Sequence, residues 1–225
     1  MEVQPPSRDP LHADVWVLAK NCILAFVGLV GAMIVASTSL YFPPQFKFGF
    51  LFGRESYFFS WYAVAFYAHV TSAPIALFAG LMQSIDWLRS RFLCLHRRIG
   101  YVYVVTVLFF AIPSGLAMSL KADGGIVASI GFAGLAVATF LTTTIGYWKA
   151  RKGEYDWHKK WMTRSYILVC SAVQLRFMAA IVNYFDVEFI TYSAMSWLCW
   201  LPSLMLYEGW ERYKLYKSGR RTNCG

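Results

Sequence analysis

Acidic residues are scarce in this chain. Asp and Glu number 12 against 21 Lys and Arg, and all charged residues together reach only 15% of 225 positions. A soluble domain carries about 25% charge, so a water-soluble globule is excluded. Cysteine is also sparse. Cys22, Cys94, Cys170, Cys199 and Cys224 form no C-x-x-C pair and offer no outer disulfide. That argues against zinc and iron–sulfur sites, and any haem would be bound without covalent attachment. The chain has no glycine-rich phosphate loop, no Gly-x-Ser-x-Gly elbow and no His-Glu-x-x-His, and no span holds paired carboxylates. Hydrolase and kinase chemistry therefore lack their residues.

Apolar residues are what the chain has in abundance: 58% are hydrophobic and 18% aromatic. They lie in long blocks, several reaching the roughly 20 residues that cross a bilayer. The pattern predicts an all-α polytopic bundle with spans at 22–42, 56–82, 100–120, 126–148, 163–184 and 189–210. The predicted organisation is a mobile polar segment at 1–14, a transmembrane bundle over 15–212 and a basic tail at 213–225. The first apolar block is long enough to span, and no small-residue cleavage site follows it, so it reads as an anchor and not a signal peptide.

Charge sets the expected orientation. The N-terminus, two loops and the C-terminal tail share one face, which collects 17 of the 21 Lys and Arg. The other face has Lys47, Arg54 and Lys121, and Arg176 lies within a span. The positive-inside rule makes the crowded face cytoplasmic, with both termini inside. The same rule explains the +9 net charge without a nucleic-acid partner. Lys214, Lys217, Arg220 and Arg221 anchor the topology and lie within reach of anionic lipid headgroups.

Two of the basic loops carry nearly the same tag. His96-Arg97-Arg98 opens one apolar helix, and His158-Lys159-Lys160 opens another. Each closes a hairpin, which suggests parallel repeats about an axis along the membrane normal. Such an axis brings His96 and His158 to one depth, where paired imidazoles can hold a metal or a haem iron. The competing reading makes both tags positive-inside anchors that contain a histidine.

Ionisable residues inside a span are expensive. His69 and Arg176 both fall near mid-membrane, with Gln174 beside Arg176. They form either a ligand or proton pocket or a polar tie between helices. Pro74 frees the Val70 carbonyl beside His69, and Pro113 and Pro202 free those of Phe109 and Leu198. Thr142, Thr143 and Thr144 are expected to bond back to their own helix. Glu208 is expected to pair with Arg212 one turn on. The aromatic, proline-rich loop from Tyr41 to Gly53 is expected to cap the bundle.

One ordered set of residues carries a family resemblance. It runs from His69 through Gly80, Gln83, His96-Arg97 and Gly100-Tyr101 to Gly124, Gly125, Gly131-Phe132 and Thr142-Thr143. It continues with His158, Trp161-Met162, Arg164-Ser165-Tyr166 and Leu175-Arg176, and ends at Glu208. The chain resembles the membrane-protein family known as domain of unknown function 2306 over 42–208. His-x-x-Trp-Met-x-Arg-Ser-Tyr is the most specific stretch. Ser203 departs from the pattern, standing where Asn is expected. The resemblance implies a multi-helix membrane fold and brings no reaction with it. In layout the family is similar to membrane cytochromes that hold haem b between helices.

Three readings follow. In the first, haem b sits between His96 and His158, and the protein is an electron-transfer cytochrome or membrane oxidoreductase with a redox partner or quinone. Arg97, Arg98, Lys160 and Arg164 would meet the propionates, Met162 would pack on the porphyrin or serve as a ligand, and Arg176 could answer a propionate deeper in. His69 lies too deep to share that iron and would serve a second cofactor, a quinone or a proton path. In the second, a transporter or sensor holds a small ligand among His69, Gln174 and Arg176. In the third, the chain is a non-catalytic subunit or assembly factor of a membrane complex.

Overall fold

The computed structural model describes residues 10–47, 49–185 and 191–222, and among them there are helices and turns but no strand. Helix α1 (Pro10–Thr38) runs into a 3-10 turn at Ser39–Tyr41. A second 3-10 turn (Gly49–Leu51) and the short α2 (Glu55–Tyr57) lead through a wide turn at Phe58–Tyr62 into α3 (Ala63–Gln83). Helix α4 (Asp86–Arg91) crosses the basic face. Next come α5 (Leu93–Thr106), a wide turn at Val107–Ala111 and α6 (Ile112–Ser119). Helices α7 (Gly125–Arg151), α8 (Tyr155–Val169), α9 (Ser171–Phe185), α10 (Tyr192–Leu198) and α11 (Leu201–Thr222) complete the chain.

Five segments are long and apolar enough to cross a membrane: Val17–Tyr41, Glu55–Gln83, Leu93–Ser119, Gly125–Arg151 and Tyr155–Phe185. Helices α10 and α11 supply the sixth crossing, broken at Cys199 and Trp200. Pro202 explains the break. It sits in the first turn of α11, where its missing N–H has no partner to lose. It therefore starts a helix and does not kink one. The sequence places residues 1–14 in a polar segment, but α1 already begins at Pro10, and residues 1–9 lie outside the described part. Residues 223–225 of the basic tail lie outside it as well, and α11 continues through Thr222.

Little of the apolar surface is used for packing. On α1 the buried positions Val27, Gly31 and Ile34 form one stripe, spaced to meet α3 and α9. The remaining face of α1 is exposed, as a lipid-facing helix requires. The centre is a seam of α3, α5 and α8 built from Ala76, Ala79, Tyr103 and Tyr166. The aromatic loop does cap one end, where Leu51, Phe58, Tyr62 and Phe66 form a cluster with Tyr41, Phe46 and Phe50. Arg54 is buried in that cap, 4.2 Å over the Phe50 ring and paired with Asp123.

Candidate functional site

Helices α5 and α8 both lead away from the basic loops, so they run parallel. They touch where the Tyr103 hydroxyl meets Ser165 Oγ at 2.7 Å. His96 precedes Tyr103 by seven residues, and His158 precedes Ser165 by the same number. Seven residues are almost two turns, about 10.5 Å of rise, and return to nearly the same helix face. The two histidines therefore stand at equivalent positions, about two turns toward the basic loops from that contact. They lie near enough to interact electrostatically.

Each histidine is held differently. The His158 Nδ1 lies 2.8 Å from the Gly146 carbonyl on α7. A carbonyl only accepts, so the proton is on Nδ1 and the lone pair on Nε2. Metal-ligating histidines are commonly oriented in this way. His96 is half-buried, and its Nδ1 is enclosed without a hydrogen-bond partner among the described residues. Its backbone carbonyl accepts from Gln83 Nε2 at 2.7 Å, tying α5 to the end of α3.

A line of hydroxyls forms the floor above the pair. Thr143 Oγ1 donates to the Thr139 carbonyl at 2.7 Å, as its sequence position suggested. That uses its only proton, so Ser165 donates to Thr143 (2.7 Å) and Tyr103 donates to Ser165. The chain is fully directed, and Tyr103, Ser165 and Thr143 are all buried.

The expected cationic set divides. Arg97 and Arg98 are exposed beside the pair and make no ion pair among the described residues. Arg164 is committed elsewhere: Nε and Nη2 reach the two oxygens of Glu208 at 2.5 and 3.0 Å. Its guanidinium also lies over Trp161 and Tyr207. This corrects the expected Glu208–Arg212 pair, because a partner on a neighbouring helix outcompetes one a single turn away. Lys160 is likewise drawn off, 3.2 Å from Glu211. Met162 packs on Gly146, where a Cβ would stand 2.6 Å from its sulfur. It walls the site and does not point freely into it.

His69 and Arg176 form a separate group. His69 is 14 residues from the basic end of α3, about 21 Å away. Its Nδ1 donates across to the Ala111 carbonyl (3.0 Å), with Ser114 Oγ at 3.3 Å. The Val70 carbonyl freed by Pro74 is not its partner. The acceptor comes from the wide turn on the neighbouring span. Arg176 interacts electrostatically with His69, Tyr41 and Tyr192. Gln174 points elsewhere and accepts from Ser203 Oγ at 2.5 Å. Among the described residues, no three His, Cys, Asp or Glu side chains converge as a metal site.

The fold defines a multi-span helical membrane protein. The family described as predicted membrane protein, DUF2306, matches residues 66–210, which is most of the chain, and the chain belongs to that family. No curated protein and no solved structure matches it.

Sequence reasoning did not reach Gly146, Ser165 as the partner of Tyr103, or the Arg54–Asp123 pair. The second had a signal. The tags and the Tyr103–Ser165 contact share one separation of 62 residues.

Proposed function

We propose that the protein is a b-type membrane cytochrome whose haem is held by His96 and His158. What supports this reading is that His96 and His158 each stand seven residues before a partner of the Tyr103–Ser165 contact and interact electrostatically. The residues present suit the group. His158 is fixed in the tautomer that offers Nε2, and the His96 ring has an enclosed nitrogen with nothing to bond. Arg97 and Arg98 are free to meet propionates at the membrane surface. When bound, an iron with two imidazole ligands carries one electron between its ferric and ferrous states.

The chain's own groups hold and shield. Gly146 orients His158, Gln83 fixes the start of α5, and Met162 with the hydroxyl line closes the inner wall. A groove of about 700 Å³ between α1, α3 and α5 supports a lipid-soluble electron partner such as a quinone. It is lined by Val70, Pro74, Phe78 and Met82 and ends at Ile99, one turn from His96. The charge asymmetry supports a cytoplasmic basic face with both termini inside.

Absorption spectra test the reading. Detergent-purified protein, oxidised and then reduced with dithionite, is expected to show a Soret band and sharp α and β bands. Both His96→Ala and His158→Ala are expected to lose them. A colourless wild-type preparation, after expression with ample haem, would overturn the proposal.

A further inference from the structure

The end of the bundle opposite the basic loops carries a cavity of about 580 Å³, lined by Phe46, Phe52, Gly53, Glu55 and Ser56. An alternation of buried and exposed residues builds it. Leu51 and Arg54 are buried in the aromatic cap, and Phe52, Gly53, Glu55 and Ser56 are left exposed between and after them. Gly53 takes a φ of +73°, and a Cβ there would meet open space. Phe46 completes the wall. Its ring meets those of Phe58 and Phe59 edge to face, with centroids 5.2 and 5.8 Å apart. Glu55 opens the second span, so the cavity lies at the membrane–water boundary.

Glu55 gives this lining its charge. Its carboxylate is exposed and makes no ion pair among the described residues. The cations of the same face do not answer it. Arg54 bonds inward, to Asp123 and to the Phe50 carbonyl. Lys121 lies 5.5 Å over the Tyr57 ring. Lys47 follows Phe46 in the chain but does not line the cavity. A negative charge set among aromatic rings therefore stands without a counter-charge.

We infer that this cavity binds a trimethylammonium group, with Glu55 as its counter-charge and Phe46 and Phe52 as its aromatic contacts. Aromatic rings attract a cation through their quadrupole, and the carboxylate adds a full opposite charge. A primary ammonium has three N–H donors to satisfy, and rings satisfy them poorly. A trimethylammonium has no N–H, and its methyl groups suit an apolar lining. The group belongs either to a choline lipid headgroup, at the boundary where the cavity opens, or to a small solute entering from water. The site lies at the far end of the bundle from His96 and His158 and does not depend on what they hold.

The test is equilibrium dialysis of the full chain in dodecylmaltoside, a detergent without an ammonium group. The probes are radiolabelled choline and radiolabelled dihexanoylphosphatidylcholine, with ethanolamine as competitor. Wild type is expected to bind saturably, and ethanolamine to compete poorly. Glu55→Gln and Phe52→Leu are each expected to weaken binding about tenfold, and Phe52→Trp to retain it, because a larger ring holds a cation at least as well. Asp156→Asn removes an exposed acid on the basic face and is expected to match wild type. Glu55 and Phe52 are exposed, so their variants are expected to keep the wild-type unfolding midpoint. Binding of the lipid alone identifies the bilayer as the source, and binding of free choline identifies water. No saturable binding of either probe, equal competition by ethanolamine, or affinities that Glu55→Gln and Phe52→Leu change no more than Asp156→Asn does, overturns the inference.

Discussion

Tyr103 and Ser165 stand 62 residues apart in the chain and meet hydroxyl to hydroxyl at 2.7 Å. The same separation divides His96 from His158. Removing the hydroxyl tests the seam directly. Tyr103→Phe leaves the buried Ser165 oxygen without its donor, and a loss of about 0.5–2 kcal/mol is expected. Thermal unfolding in detergent measures it. A variant as stable as wild type would mean that the bond does not hold α5 to α8.

Two close approaches predict unequal costs. A methyl group at Gly80 would overlap the Tyr166 ring, and Tyr103 stands 2.9 Å away on the same side. Neither ring has room to retreat, so Gly80→Ala is expected to lose about 1–3 kcal/mol. At Gly146 the added methyl meets the Met162 thioether, a flexible chain that can turn aside. Gly146→Ala is therefore expected to cost less. Comparing the two unfolding midpoints decides the ranking.

Arg164 and Glu208 make a two-point ion pair across α8 and α11. Glu208 is partly exposed, which screens the pair, but Arg164 is largely buried and its Nη1 already has no partner. Glu208→Ala is expected to destabilise by about 1–2 kcal/mol, mainly by stranding the guanidinium. The exchange Arg164→Glu with Glu208→Arg is expected to recover part of that loss in the same unfolding assay. Recovery no better than either single variant would show that packing over Trp161 and Tyr207 matters more than charge.

Asp86 gives an acid-sensitive contact on the basic face. The Lys20 ammonium bonded to its carboxylate holds that acid below its ordinary value, and Arg89 adds to the effect. A lowered native value means that the contact stabilises at neutral pH and is lost as pH falls through that value. Both groups are exposed, so the contribution is about 1 kcal/mol or less. Stability measured from neutral pH down to about pH 2 should decline more steeply for wild type than for Asp86→Asn. Parallel curves would remove the contact from the account.

The spans were legible because each apolar run exceeds what any soluble helix needs. The equivalence of His96 and His158 was legible because the same tag opens two helices. Other features depend on partners far away in the chain. Glu208 pairs with Arg164 on another helix, while sequence reasoning favours Arg212, one turn away. Met162 looks like a free ligand until Gly146 is seen to leave room for it. The wide turn at Val107–Ala111, which supplies the His69 acceptor, has no compositional mark, since apolar residues there are compatible with an unbroken helix. Pro202 reads as a kink in one span, yet it begins a second helix, because the break falls just before it.

The 62-residue separation also sets an order of assembly. At about 5–20 residues per second, roughly 3–12 s pass between synthesis of His96 and of His158. For that interval the enclosed face of α5 has no α8 to meet. The Tyr103–Ser165 contact cannot form until the fifth crossing has been delivered, so a ribosome stalled within α7 leaves a membrane-inserted fragment whose Tyr103 hydroxyl has no Ser165 to meet.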